Sequence, residues 1–166
     1  MAVEFAQMSS TETQTPSDSS PMRVRLNQND EVHGIEHVIE HPEDIQIKSS
    51  GVYMIIAAPQ IGRTLGSKGR YVDVWLNRNG KNIPNSNVRK VIGNGGETDV
   101  IVSQNMVTLE QGDIINVVMS VEVGDEGLGI YAIKPKDECE PLIPSIILSM
   151  NKIQDQSTYF YRKGTS

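Results

Sequence analysis

The feature that most constrains the fold is a succession of short apolar or alternating runs, each closed by a turn signal. Residues 71–76 alternate apolar and polar side chains, and the run leads to Asn79-Gly80, a pair that favours a hairpin because both residues tolerate positive φ. Apart from weak possibilities at residues 35–40 and in the C-terminal tail, no sustained helical period occurs in the sequence. Apolar side chains that repeat every second residue indicate strands. The chain is therefore predicted to be all-β.

Further strands are predicted from the same kind of pattern. They cover residues 3–6, 45–48, 52–58, 88–92, 99–109, 114–123, 128–133 and 143–153. Residues 9–21 are polar and are expected to form a loop within the domain. The 166 residues suit one domain, which we place at residues 1–153, followed by a tail at residues 154–166. Many short strands joined by Gly, Asn and Pro turns are typical of an antiparallel sandwich or a barrel.

Two of the predicted strands, residues 52–58 and residues 114–119, are apolar on both faces. In a two-sheet sandwich one face of each strand packs on the core, and the other normally meets water. A strand that is apolar on both faces needs a second cover. The cover is either a loop of the same chain or another copy of the subunit. We therefore expect a sandwich that associates with itself.

Composition and charge exclude several classes of function. The net charge of −6 argues against capture of nucleic acid or of an anionic membrane, because both need basic patches. No run reaches the ~18 apolar residues of a membrane-spanning helix, and the N-terminus lacks the features of a Sec signal peptide. The lone Cys139 can form no intrachain disulfide. We expect an intracellular protein or one associated with a particle or spore surface, and we predict no cofactor.

The three histidines, His33, His37 and His41, are four residues apart and are the weak candidates for a metal site. Gly34 and Pro42 disfavour a helix here, and in a strand this spacing separates neighbouring histidines by about 13 Å. A single strand would then not chelate an ion, although three copies of one histidine could meet on an axis. We expect an exposed polar segment, and the alternative is a small metal-dependent enzyme that uses these histidines.

Other polar groupings also have simpler interpretations. Residues 93–96 (GNGG) precede a strand and not a helix, so they do not predict a phosphate-binding loop. Glu122, Asp125 and Glu126 surround a hairpin tip, where we expect solvated carboxylates and not a calcium loop. No nucleophile elbow, HExxH motif or catalytic serine triad is visible in the sequence. The protein is predicted not to be an enzyme.

Several stretches occur in an order that is informative. Residues 51–55 read GVYMI, residues 74–80 read VWLNRNG, and residues 107–117 read VTLEQGDIINV. Residues 143–148 (IPSIIL) and residues 3–6 (VEFA) stand where closing and opening strands are expected. In this order they resemble the strand motifs of the tumour-necrosis-factor-like superfamily, which includes the complement subcomponent-q globular heads. The resemblance extends over residues 2–153.

That resemblance implies a jelly roll of two five-stranded sheets that assembles as a homotrimer. It implies a binding or structural module with an unknown protein or carbohydrate ligand, such as a cap on a spore, virion or other surface. The implied sandwich core contains Phe5, Tyr53, Ile55, Val74, Ile115, Val117 and Ile147. The implied trimer interface contains Val52, Met54, Ile56, Val102, Ile114 and Val118.

Overall fold

A computed structural model describes residues 3–156, which form fourteen strands. The strands are β1 (Phe5–Ser10), β2 (Met22–Arg23), β3 (Gln28–His33), β4 (Ile35–Glu36), β5 (Ile45–Ile47), β6 (Gly51–Gly62), β7 (Arg70–Arg78), β8 (Lys81–Asn82), β9 (Val88–Ile92), β10 (Thr98–Val100), β11 (Ser103–Leu109), β12 (Ile114–Val121), β13 (Gly129–Ile130) and β14 (Ile146–Asp155).

The strands form two antiparallel sheets. The first sheet has the order β10-β6-β14-β1-β3, with β11 and β13 also paired to β6. The second has the order β4-β5-β12-β7-β8, with β2 paired to β12 and β9 paired to β7. The predicted all-β, two-sheet sandwich is confirmed. Each sheet contains seven strands, and not the five that the family resemblance implied.

Strand β6 shows why its sequence is continuously apolar. Tyr53, Ile55 and Ala57 are buried between the sheets, whereas Val52, Met54 and Ile56 alternate with them and are only partly buried. Successive side chains of a strand point to opposite faces, so one half of the run fills the core. The other half forms the outside of the first sheet.

The core is aliphatic and lies between the two sheets. The second sheet contributes Val74, Ile115 and Val117, all of them buried. The first sheet contributes Leu148 and Met150 from β14, which lie beside Ala57 and Ile55 of β6 on its inner face. Complete burial of a side chain of this size stabilises a fold by about 1.5–3 kcal/mol, so this cluster supplies most of the driving force.

Two residues assigned to the core from the sequence lie outside it, and the assignment is corrected here. Phe5 is 38% exposed and Ile147 is 37% exposed, both on the outer side of the first sheet. Their neighbours Ala6 and Leu148 point inward. Ala6 pairs with the buried Met150 in the ladder between β1 and β14, and paired residues share a face of the sheet. A shift of one residue in register exchanges the two faces of a strand, and the sequence pattern placed both side chains on the wrong face.

Other differences concern polar segments. Residues 99–109 form two strands, β10 and β11, that pair with different parts of β6. The strand β3 (QNDEVH) was not predicted, because it is an edge strand whose side chains are mostly exposed. The loop expected at residues 9–21 begins two residues later, since β1 runs to Ser10. Within it, Gln14 pairs with Ile130. Within residues 3–156, no helix is long and apolar enough to cross a bilayer.

Candidate functional site

The outer face of the first sheet is the side of β11, β6, β14, β1 and β3 that points away from the core. Cross-strand partners share a face, so the register defines its rows. One central row runs Met106, Met54, Asn151, Phe5 and His33. The next row runs Gln104, Ile56, Ser149, Gln7 and Glu31.

Apolar side chains are strongly exposed on this face. Met106 is 65% exposed, and Val102, immediately before β11, is 57% exposed. At the other side of the face, Phe5 stacks on His33 of the last strand with ring centroids 5.6 Å apart, and the polar Asn151 lies between Phe5 and Met54. Exposed apolar side chains grouped on one face of a protein are typical of an interaction site.

The centre of the outer face also lacks charge. In both rows, the positions on β11, β6, β14 and β1 carry apolar or neutral polar side chains, and the first charged residue reached is Glu31 on β3. The cores of protein interfaces are depleted in charged residues and enriched in Met and aromatic residues. The face therefore has the composition of an interface core.

The structure brings together only part of the predicted trimer interface. Val52, Met54 and Ile56 share the outer face, and Val102 lies at its β11 end. Ile114 and Val118 belong to β12 in the second sheet, so placing them with the other four is wrong. Val118 is already buried between its cross-strand neighbours Trp75 and Arg23.

The three histidines do not form a common site. His37 is buried, and its Nδ1 and Nε2 atoms lie 2.5 Å from Asn29 Oδ1 and 3.1 Å from the Pro42 carbonyl oxygen. Both ring nitrogens are therefore engaged with protein oxygens. His33 is stacked on Phe5 instead. Among the described residues, no group of three His, Cys, Asp or Glu side chains is placed to hold a metal ion.

A buried polar network closes one end of the first sheet. The Ser49 hydroxyl donates to Glu4 Oε1 at 2.7 Å, and the Tyr53 hydroxyl lies 3.0 Å from Glu4 Oε2. The Lys152 ammonium contacts Ser49 Oγ and lies 3.2 Å from Glu4 Oε2. Asp155 pairs with the same ammonium. A register shift between Lys152 and Gln154 lets Lys152 point inward at this end of β14.

The charges of Glu4 and Lys152 stabilise each other, so the network holds the fold together and does not transfer protons. Burial alone would raise the pKa of Glu4, but hydrogen bonds from Ser49, Lys152 and Tyr53 outweigh burial and hold that pKa below its ordinary value. Burial would lower the pKa of Lys152, but the adjacent carboxylates of Asp155 and Glu4 raise it above its ordinary value. An ammonium held in its charged form cannot accept a proton, so the Ser49–Lys152 contact does not supply a general base.

A second buried charge organises the loops at the opposite end. The side chain of Arg63 is fully buried and contacts the Glu126 carboxylate. Its guanidinium donates to the main-chain carbonyls of Leu65, Lys68 and Ile92 at 2.7, 2.6 and 3.0 Å. One side chain thus holds together three loop segments, which we call the apical cluster.

The acidic hairpin tip belongs to this cluster and is not merely solvated, as the sequence suggested. Arg70 pairs with Glu122 at 3.5 Å and with Glu126 at 3.4 Å. Glu122 also accepts a hydrogen bond from the main-chain N–H of Tyr71 at 3.2 Å. The hydrogen bond to Glu126 raises the pKa of Arg70 above its ordinary value. Two guanidinium groups already balance these carboxylates, which leaves little for a calcium ion to neutralise.

Solved structures with the same fold include three crystal structures of murine APRIL, a TNF-family jelly-roll protein. The crystals at pH 8.5 and pH 8.0 match with TM-scores of 0.58 and 0.57 at 15% identity, and the crystal at pH 5.0 matches with 0.53 at 13% identity. Each match covers 92% of this chain and all of the other. No protein-family model and no curated protein matches the sequence. The chain therefore has the TNF-like jelly-roll fold.

Proposed function

We propose that this protein is a non-enzymatic homotrimeric binding or structural module whose subunits associate through the outer face of the first sheet. The observation that carries the proposal is the uncharged, partly apolar centre of that face, with Met54 and Met106 side by side in neighbouring strands. The TNF-like fold supports three as the number of subunits, because the family resemblance implies a trimer.

Physical considerations favour closure of this face by another subunit. Met106 is 65% exposed in the single chain, and its complete burial would contribute about 1–2 kcal/mol. A stable interface buries more than about 1,000 Å² in total, which requires several strands on each side. The outer face spans five strands, so it is wide enough to supply one side of such an interface.

Symmetry restricts how copies associate. Around a threefold axis, the outer face of one subunit packs on a different surface of the next, and the ring closes after three copies. A twofold arrangement would instead pair the outer face with itself. The two arrangements differ in mass, which makes the number of subunits directly measurable.

The test is the mass in solution, measured by light scattering after size-exclusion chromatography. The expected mass is about three times the 18.3 kDa of one chain. Met106→Lys places a charge on the outer face beside Met54, at a side chain that is exposed in the subunit, and is expected to give folded monomers. The matched control is Val91→Lys, because Val91 is 57% exposed in β9 on the second sheet.

The proposal makes the two variants behave differently. Val91→Lys should keep the wild-type mass, and Met106→Lys should lose it while circular dichroism shows an unchanged β-sheet content. A wild-type protein that is monomeric at micromolar concentration contradicts the proposal. So does a Met106→Lys variant with the wild-type mass.

A further inference from the structure

The second sheet carries a groove on its outer side, away from the outer face of the first sheet. The groove has a volume of about 410 Å³ and is built around Trp75, the one tryptophan of the sequence. Asp73 and Ser120 line it from β7 and β12, and Asn85 and Asn87 line it from the loop between β8 and β9. We call it the Trp75 groove. Its volume is in the range of small-molecule sites.

The tryptophan is fixed in one orientation. Its indole Nε1–H is shared between Asn82 Oδ1 at 2.8 Å and Asn77 Oδ1 at 3.1 Å. The side chain is partly exposed, although its polar edge is already occupied. The part of the ring that remains for a ligand is therefore the apolar part, held in place before any ligand arrives.

The loop that carries the two asparagines is also held in place. Buried Ser86 lies between them, and its hydroxyl donates to the Ile83 carbonyl at 2.8 Å and accepts from the Leu76 N–H at 3.0 Å. Asn85 adopts a left-handed backbone with a φ of 62°. A preorganised loop lowers the entropy that binding must overcome.

The groove presents polar groups that have no hydrogen-bond partner in the part of the chain that the structure describes. Within residues 3–156, the side-chain amides of Asn85 and Asn87 and the hydroxyl of Ser120 make no hydrogen bond. Each amide supplies a carbonyl acceptor and two N–H donors. Asp73 is held by Arg89 through two contacts of 2.7 and 2.8 Å, so its charge is balanced. The groove thus offers neutral donors and acceptors beside a fixed aromatic ring.

We infer that the Trp75 groove binds a neutral saccharide, with a sugar ring packed on Trp75 and its hydroxyls bonded to Asn85 and Asn87. A pyranose has an apolar C–H face and a rim of hydroxyls that donate and accept, which is the chemistry that these side chains complement. An anionic glycan would need an unpaired cation, and the guanidinium of Arg89 is already paired with Asp73. The inference does not depend on the trimer, because the groove lies on the other sheet.

The test uses the full chain and a panel of neutral sugars: glucose, galactose, mannose, fucose and N-acetylglucosamine, together with an array of neutral, sialylated and sulfated oligosaccharides. Because the sequence has one tryptophan, fluorescence excited selectively at tryptophan reports on the groove and not on the five tyrosines. At least one neutral sugar is expected to give a saturable change, with a Kd on the order of 1 mM for a single sugar ring.

The variant Asn85→Ala/Asn87→Ala keeps the fluorescent reporter and should weaken binding at least about tenfold, which is the effect of losing hydrogen bonds to a ligand. The control Gln111→Ala removes an exposed amide from the turn between β11 and β12, away from the groove, and should bind as the wild type does. Both variants should keep the wild-type mass, so failure here is distinguishable from failure of the trimer. No saturable binding of any neutral sugar, binding only of charged glycans, or unchanged binding by the double variant would each overturn the inference.

Discussion

The buried pair of Glu4 and Lys152 gives a sharp prediction about stability. Their side chains are only 7% and 5% exposed, and the ammonium bridges β14 to the residues that precede β1. Lys152→Met preserves much of the side-chain volume but leaves the Glu4 carboxylate without its cation. Breaking a buried pair in this way costs about 3–5 kcal/mol, because an uncompensated charge stays in the interior.

The double variant Glu4→Gln/Lys152→Met provides the matched comparison. It removes both charges, and Gln keeps an acceptor for the Ser49 hydroxyl. Replacing both partners of a buried pair is often nearly neutral, so we expect this variant to recover most of the stability lost in Lys152→Met. The measurement is urea-induced unfolding at one fixed protein concentration, because assembly would otherwise change the apparent stability.

The pH dependence follows from the same pair. The pKa of Glu4 is lowered in the folded protein, so its charge stabilises the fold above the ordinary pKa of a glutamate and stops doing so as the pH falls through the folded value. The stability difference between wild type and Glu4→Gln should therefore shrink as the pH falls from the ordinary glutamate pKa of 4.5 through the lower pKa of the folded protein. The reasoning is refuted if Lys152→Met costs less than about 1 kcal/mol, or if the double variant is less stable than the single variant.

Two further predictions concern the buried side chain of Arg63 and the space around two glycines. Arg63→Met leaves several main-chain carbonyls of the apical cluster without a donor, so we expect a loss of at least about 3 kcal/mol in urea unfolding, with hydrogen exchange accelerated first in those loops. Gly129→Ala would place a Cβ 2.1 Å from the main-chain oxygen of Gln14 and should cost more than about 2 kcal/mol, whereas Gly112→Ala, with open space and a φ of +91°, should cost only about 1 kcal/mol. Equal decreases in the melting temperature of the two glycine variants would contradict the expected clash at Gly129.

Much of the fold could be predicted because its strands carry their pattern locally. The continuous apolar run of β6 and the alternating run of β7 each indicate a strand without knowledge of its partner. The edge strand β3 could not be found in this way, because it pairs with β1 through main-chain hydrogen bonds that any side chains permit. The period of apolar residues shows which side chains share a face of one strand, but not to which sheet the strand belongs. Ile114 was therefore grouped with Met54, although the two residues lie in opposite sheets.

The candidate site was predictable to the extent that it depends on β6. Val52, Met54 and Ile56 stand out in the sequence because they make a strand apolar on both faces. Met106 was not identified, since Gln104 and Thr108, the residues two positions away on the same face of β11, are polar. The Trp75 groove depends on a loop conformation fixed by Ser86, and no local pattern in the sequence reports a hydrogen bond between a loop and a neighbouring strand.

The position of β14 in the first sheet has a consequence for synthesis of the chain. This strand lies between β6 and β1, and it pairs with both along most of its length. On the ribosome, β1 and β6 emerge before β14, and β14 is the last of the strands that the structure describes. Each therefore waits with an unpaired edge, and strands in that condition are prone to aggregate. A ribosome-bound chain that ends before β14 should accordingly recruit holding chaperones, and the completed chain should release them when β14 inserts.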